Sequence, residues 1–212
     1  MSEIVKVENV TKYFKQEKVL DDVNMNLETG HIYGIVGKNG AGKTVLFKII
    51  AGFIKPSSGK VTVAGKIIGV DRDFPDSLGL IIETPGFLSQ YNAYQNLLYL
   101  ANINNKISKE DVKESIRMVG LDPGSNKKVG KFSLGMRQRL GIAQAIMENP
   151  NLIILDEPMN GLDKKGIEDV KELLLKLKGD GKTILMASHY AEDMEICDEV
   201  FQMEDGKLGE MK

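Results

Sequence analysis

A single cysteine, Cys197, occurs in 212 residues, so no disulfide can form within the chain and no thiolate cluster can hold a metal. A packing role is expected for it. No uncharged apolar run approaches the roughly eighteen residues that a membrane-crossing helix needs, and Glu3, Lys6 and Glu8 interrupt the stretch where a secretory signal would carry its apolar core. The expectation is a soluble, cytosolic chain. An excess of either charge is also lacking: 28 Lys and Arg face 30 Asp and Glu, a net charge of −2, which argues against a generally basic nucleic-acid-binding surface. Lys127, Lys128 and Lys131 cluster locally, but in a Gly- and Asn-containing loop that reads as a solvated turn. Internal repeats, low-complexity tracts and long linkers are missing. A chain of this length can form one large domain or two lobes and can bury about 70% of its unfolded surface without a staple.

What is present is a phosphate-binding pattern. Gly37-Lys38-Asn39-Gly40-Ala41-Gly42-Lys43-Thr44 fits G-x-x-x-x-G-K-[ST]. Residues 31–36 before it read as a short buried strand, and residues 45–51 after it read as a helix stopped by Gly52. In that order the glycines let successive N–H groups point at phosphate oxygens, and the helix adds its positive dipole end. Lys43 is expected to neutralise β- and γ-phosphates, and Thr44 to offer its hydroxyl to Mg²⁺.

Around this loop the organisation is α/β. Residues 4–10 and 23–27 alternate apolar with polar, and 60–64 follow a Pro-Ser-Ser-Gly turn, so the three suggest a small antiparallel N-terminal sheet. From 87 to 147 the pattern turns helical, with candidate helices at 93–101, 109–119 and 133–147. Residues 1–86 and 148–212 then make the β subdomain and core, with 87–147 inserted as a helical lobe. Strands at 152–155 and 183–187, separated by a helix whose Ile167, Val170, Leu174 and Leu177 share a face, imply a parallel sheet with right-handed crossovers.

Leu152-Ile153-Ile154-Leu155-Asp156-Glu157 is an apolar strand with two acids emerging at its carboxyl edge, where the phosphate loop also belongs. Asp156 is expected to support Mg²⁺, and Glu157 to polarise the attacking water. Phe132-Ser133-Leu134-Gly135-Met136 opens a helix that Ser133 caps. With Asn160-Gly161-Leu162-Asp163 and Ser188-His189 following in order, the whole chain resembles an ATP-binding cassette (ABC) ATPase, the nucleotide-binding subunit of an ABC transporter.

That resemblance implies a P-loop NTPase with a RecA-like core. It also implies ATP hydrolysis with Mg²⁺, a separate membrane permease as partner and a cytoplasmic position on that permease. Two cassettes, identical or not, would pair head to tail, so that Ser133 and Gly135 of one meet the ATP held by Lys43 of the other. Asp163 lies in the family's D-loop, and His189 takes the place of the histidine that bonds the γ-phosphate. Phe14, favoured over Tyr13, is aligned with the aromatic ring that stacks on adenine. The sequence departs from the family where Leu134 and Met136 replace a glycine and a glutamine of the signature. The form Ser-Leu-Gly-Met resembles the subset that exports, or confers resistance to, peptide antibiotics and bacteriocins. Glu83 stands where a glutamine normally approaches Mg²⁺ and transmits permease movement, and an ionised carboxylate there cannot donate a hydrogen bond. A soluble ABC ATPase acting in translation, DNA repair or iron-sulfur assembly is the alternative.

Overall fold

The computed structural model describes residues 2–210. β1 (Glu3–Phe14) and β2 (Glu17–Glu28) form an antiparallel hairpin. The chain then enters a second sheet at β3 (Ile32–Val36), passes through the glycine loop into α1 (Lys43–Ile50), and returns to the first sheet at β4 (Ser58–Val63) and β5 (Lys66–Ile67). The first sheet has the order β2-β1-β4-β5 and is antiparallel throughout. Next come β6 (Leu78–Ile81) and three helices, α2 (Ala93–Asn104), α3 (Lys109–Met118) and α4 (Leu134–Ile146). β7 (Leu152–Asp156), α5 (Lys164–Gly179), β8 (Thr183–Ser188), β9 (Glu199–Glu204) and β10 (Lys207–Glu210) complete the second sheet. Its order is β10-β9-β3-β8-β7-β6, parallel except for β10.

Period-two alternation decides which layer each core side chain joins. On β7, Ile153 and Leu155 face one hydrophobic cluster and Leu152 and Ile154 face the other; on β8, Ile184 and Met186 oppose Leu185 and Ala187 in the same way. The first cluster runs without a break into the helical lobe through Leu97, Val112, Ile116 and Leu140, and takes in Val170 and Leu174 of α5. The second joins α1, through Leu46, Phe47 and Ile50, to the inner face of the N-terminal sheet. The parallel sheet is thus the middle layer, with both faces covered, as its near-continuous apolar strands require.

The helices of the lobe and α5 begin at side-chain caps. Asn92 with Gln95 and Ser108 with Asp111 form reciprocal capping boxes, while Ser133 and Asp163 cap α4 and α5. The β9–β10 hairpin turns through Asp205 and Gly206, whose φ values of 48° and 76° are both left-handed, the geometry that favours Asp-Gly in two-residue turns. Gly206 N donates to Ala41 O at 3.1 Å, and Asp21 N donates to Gly206 O at 2.9 Å. This turn therefore ties the phosphate loop to the first sheet.

Candidate active site

β3, β7 and β8 end at one edge, because Val36 pairs with Ser188 and Asp156 with Ala187. The residues following those strands meet there. After β3 the two ends of the glycine loop are held by contacts that leave no room for a side chain: a Cβ at Gly37 would lie 2.3 Å from Met203 O, and one at Gly42 would lie 2.8 Å from Leu20 Cδ2. Gly42 also sits at φ 111° at the start of α1, which has no side-chain cap and no acid in its first turn. The first α1 amides therefore lack an intrahelical partner, the arrangement that suits a phosphate.

Lys43 is 5% exposed. Its Nζ donates to Gly37 O at 2.5 Å and to Lys38 O at 3.2 Å, and lies 3.7 Å from Glu157 Oε1. Thr44 Oγ1 donates to Asp156 Oδ2 at 2.6 Å. Burial pushes the Asp156 carboxyl above its ordinary range; the charges of Glu157 and Glu83 push the same way, against the Thr44 hydrogen bond and Lys43. Among the described residues no group of three or more His, Cys, Asp or Glu side chains could hold a metal ion. The hydroxyl–carboxylate pair of Thr44 and Asp156 nevertheless fits Mg²⁺, which takes hard oxygens and draws only one or two from a protein beside phosphate and water. A second sign of fit is Glu157 Oε1, a buried oxygen without a hydrogen-bond partner.

Glu157 has φ 52°, an uncommon backbone for a residue other than glycine. The turn is held from three sides. Glu157 N donates to Ala187 O at 2.9 Å, its carbonyl accepts from Gln138 Nε2 at 3.1 Å, and Oε2 lies 2.8 Å from His189 Nδ1. Behind the histidine, Ser188 Oγ donates to buried Asp193 Oδ2 at 2.5 Å and accepts from Tyr190 N at 3.0 Å. Two cavities flank the loop. One, of about 540 Å³, is bordered by Gly37 to Ala41, His189 and the β9–β10 turn. The other, of about 390 Å³, is bordered by Lys43, Thr44, Val19, Glu83, Asp156 and Glu157.

The model of the ABC transporter family matches residues 20–160. The chain belongs to this family. An ABC transporter ATP-binding protein of Bacillus subtilis, YybJ, is 45% identical over 206 residues, covering 97% of this chain and 94% of that protein. The bacitracin transport ATP-binding protein BcrA of Bacillus licheniformis is 41% identical over 211 residues, covering 98% of this chain and 69% of that longer protein. Among solved structures, the dimeric post-hydrolysis state of the cassette MJ0796, bound to ADP and Pi, superposes with a TM-score of 0.88 at 26% identity, covering 99% of both chains. The chain is accordingly an ABC ATPase, with the P-loop fold expected from its sequence.

Not every expected site residue of the cassette converges on the loop. Ser133 Oγ accepts from Met136 N at 3.2 Å as the α4 cap, and neither Ser133 nor Gly135 borders the phosphate-loop cavities. Asp163 caps α5 by accepting from Gly166 N at 2.8 Å; within one chain it is a helix cap. Phe14 ends β1, is 45% exposed and has Lys12 Nζ 5.1 Å from its ring centre. It borders neither cavity, whereas Val19 does. Glu83 borders the smaller cavity, but its partner is Lys48, at 2.5 Å, rather than Thr44 or Asp156. Sequence reasoning missed Gln138, Lys48 and Asp193. Gln138 follows the signature on α4 and reads in sequence as an ordinary polar helix residue; its burial, at 8% exposed, marks it out once the fold is known.

Proposed function

We propose that this cassette hydrolyses ATP, with Mg²⁺, to power a separate membrane permease that exports peptide antibiotics or similar toxic compounds. It would act at the cytoplasmic face, paired with a second cassette. No helix among the described residues is long and apolar enough to cross a membrane, so movement of a solute through the bilayer falls to that permease. The observation that carries the reading is the split between Lys43, Thr44, Asp156, Glu157 and His189, gathered at one sheet edge, and Ser133 with Gly135, which lie outside that site. A second cassette supplies what the single chain lacks.

In this reading the loop amides and Lys43 bind the β- and γ-phosphates, drawing Nζ away from the Gly37 and Lys38 carbonyls that hold it here. Thr44 and Asp156 hold Mg²⁺, which neutralises phosphate charge when bound. Glu157 orients water for in-line attack on the γ-phosphorus and takes its proton as the bond to the β-phosphate oxygen breaks. His189 positions Glu157 and reaches the γ-phosphate. Residues 87–147 act as the lobe that carries the signature to the partner, and Phe14 stacks against the base once the cassettes close. BcrA's role in bacitracin transport and the Ser133-Leu134-Gly135-Met136 signature support a peptide-antibiotic substrate.

The test is affinity purification of the tagged chain from detergent-solubilised native membranes, followed by identification of what comes with it. Recovery with a polytopic membrane protein, together with sensitisation of the deletion strain to cyclic or lanthionine peptides, is expected. Recovery with soluble partners alone overturns the transporter reading.

A further inference from the structure

Thr44 and Lys48 are one helical turn apart on α1 and share a face. The two side chains reach two carboxylates at one sheet edge. Thr44 bonds Asp156 at the end of β7, and Lys48 Nζ lies 2.5 Å from Glu83 Oε1, just after β6. β6 and β7 are parallel neighbours with Ile81 beside Leu155, so the two acids leave the sheet side by side. Glu83 holds φ 60°, a left-handed backbone that points to a constrained turn rather than a relaxed loop. Its side chain is 65% exposed, yet it borders the same cavity as Thr44, Asp156 and Glu157. Three carboxylates therefore surround a place that must accept a polyanion.

We propose that Lys48 is a positioning residue that makes a carboxylate at Glu83 compatible with ATP binding. It neutralises Glu83 and holds it against the outer turn of α1, away from the phosphates. The proposal rests on the ATP-site reading above and adds a residue to it. An ammonium is suited to this work because it binds as a point charge on a flexible stem, so the pair can open when positive charge arrives at Thr44 and Asp156. The chain from Glu83 runs directly into the segment before α2. The Lys48–Glu83 pair is thus also a tether between the phosphate-loop helix and the helical lobe.

A Lys48 that instead attracted the phosphates directly would act whether or not Glu83 is charged. A double-mutant cycle separates the two cases. Wild type, Lys48→Met, Glu83→Gln and the double variant are titrated with a fluorescent ATP analogue, in EDTA and in Mg²⁺, at low salt, with thermal melts to verify folding. In EDTA, Lys48→Met is expected to raise Kd roughly threefold to tenfold. The double variant and Lys48→Arg should both lie within about twofold of wild type, and the Lys48→Met penalty should shrink in Mg²⁺. Lys48→Gln, which keeps most of the stem, provides the same comparison if Lys48→Met does not fold. An equal penalty with Glu83 intact and in the Glu83→Gln background, or no penalty in either, overturns the proposal. Failure of the wild type to bind the analogue would contradict the ATP-site reading itself and is visible in the first titration.

Discussion

His189 Nδ1 lies 2.8 Å from Glu157 Oε2, across the gap between the ends of β8 and β7. An ionised carboxylate only accepts, so this contact calls for a proton on Nδ1, and Nε2 can donate to a γ-phosphate oxygen only when the ring is the doubly protonated imidazolium. Asp193 prepares the geometry from behind. By accepting the hydrogen bond of the Ser188 hydroxyl at 2.5 Å, it turns that donor away from Glu157 Oε2, which is 3.4 Å from Ser188 Oγ. Glu157 therefore keeps its basic oxygens for histidine and water.

Glu157→Gln retains the shape of the side chain and removes the group proposed to take the water proton. Hydrolysis is expected to fall by roughly 10² to 10⁴-fold, the scale of general-base catalysis. Binding should survive, because Lys43, Thr44 and the loop amides are untouched, and an ATP-bound dimer should accumulate. Lys43→Ala should instead lose binding. Phosphate release and size-exclusion chromatography with Mg²⁺ and ATP read the two outcomes; near-wild-type hydrolysis by Glu157→Gln would assign the proton to another group.

The parts of this site that are legible in sequence are those encoded by short spacing. The glycine loop, the two acids closing β7 and the histidine after β8 each depend on residues within a few positions, and strand periodicity places them at a common edge. Lys48 and Glu83 are 35 residues apart, and neither has a local pattern that points to the other. Gln138 resembles any polar residue of a helix until its amide meets the Glu157 carbonyl. The β1–β2 hairpin extends beyond the expected strands through Thr11–Phe14 and Glu17–Asp22, stretches in which Leu20 alone is buried and apolar alternation is lacking. The β9–β10 hairpin is a different kind of miss, since Asp205-Gly206 is a readable turn signal. Phe14 illustrates the opposite difficulty: alignment with the family selects it as the base-stacking ring, yet it borders neither phosphate-loop cavity.

Leu134, one of the two residues that depart from the usual signature, packs over Gly161 of the D-loop. A Cβ at Gly161 would lie 2.5 Å from both Cγ and Cδ2 of Leu134, and Gly161 is at φ 75°. Gly161→Ala is therefore expected to destabilise the chain by about 1–3 kcal/mol through backbone strain and this clash. Adding Leu134→Ala should relieve the clash but not the strain. Urea denaturation of the single and double variants measures both parts; full additivity of the two substitutions would show that the residues do not press on one another.

Burial pushes the Cys197 thiol up from 9.0 to about 12, with the charge of Asp198 adding to the effect. Its Sγ sits 3.9 Å from Met194 Sδ. The folded state thus favours the neutral thiol: that preference supports stability below about pH 9 and is lost as pH rises towards 12. At pH 8 the thiolate fraction should be roughly 10³-fold lower in the folded chain than in the unfolded one. Alkylation should be slow in buffer and fast in denaturant. Equal rates in the two conditions would place the thiol at the surface.

Ser133 and Gly135 lie outside the chain's own phosphate-loop cavities, while the α4 N-terminus that Ser133 caps is a ready phosphate-binding end. Specific ATPase activity should therefore rise with protein concentration. A sharper test mixes two inactive variants, Lys43→Ala and Ser133→Arg. In a homodimer of either, both composite sites contain a defect. In a mixed dimer one site combines both defects, and the other pairs the intact loop of the Ser133→Arg chain with the intact signature of the Lys43→Ala chain. Equimolar mixing should restore activity that neither variant shows alone. Absence of recovery, under conditions where wild-type activity depends on concentration and both variants remain folded, would mean that this chain does not complete its site with a second copy of itself.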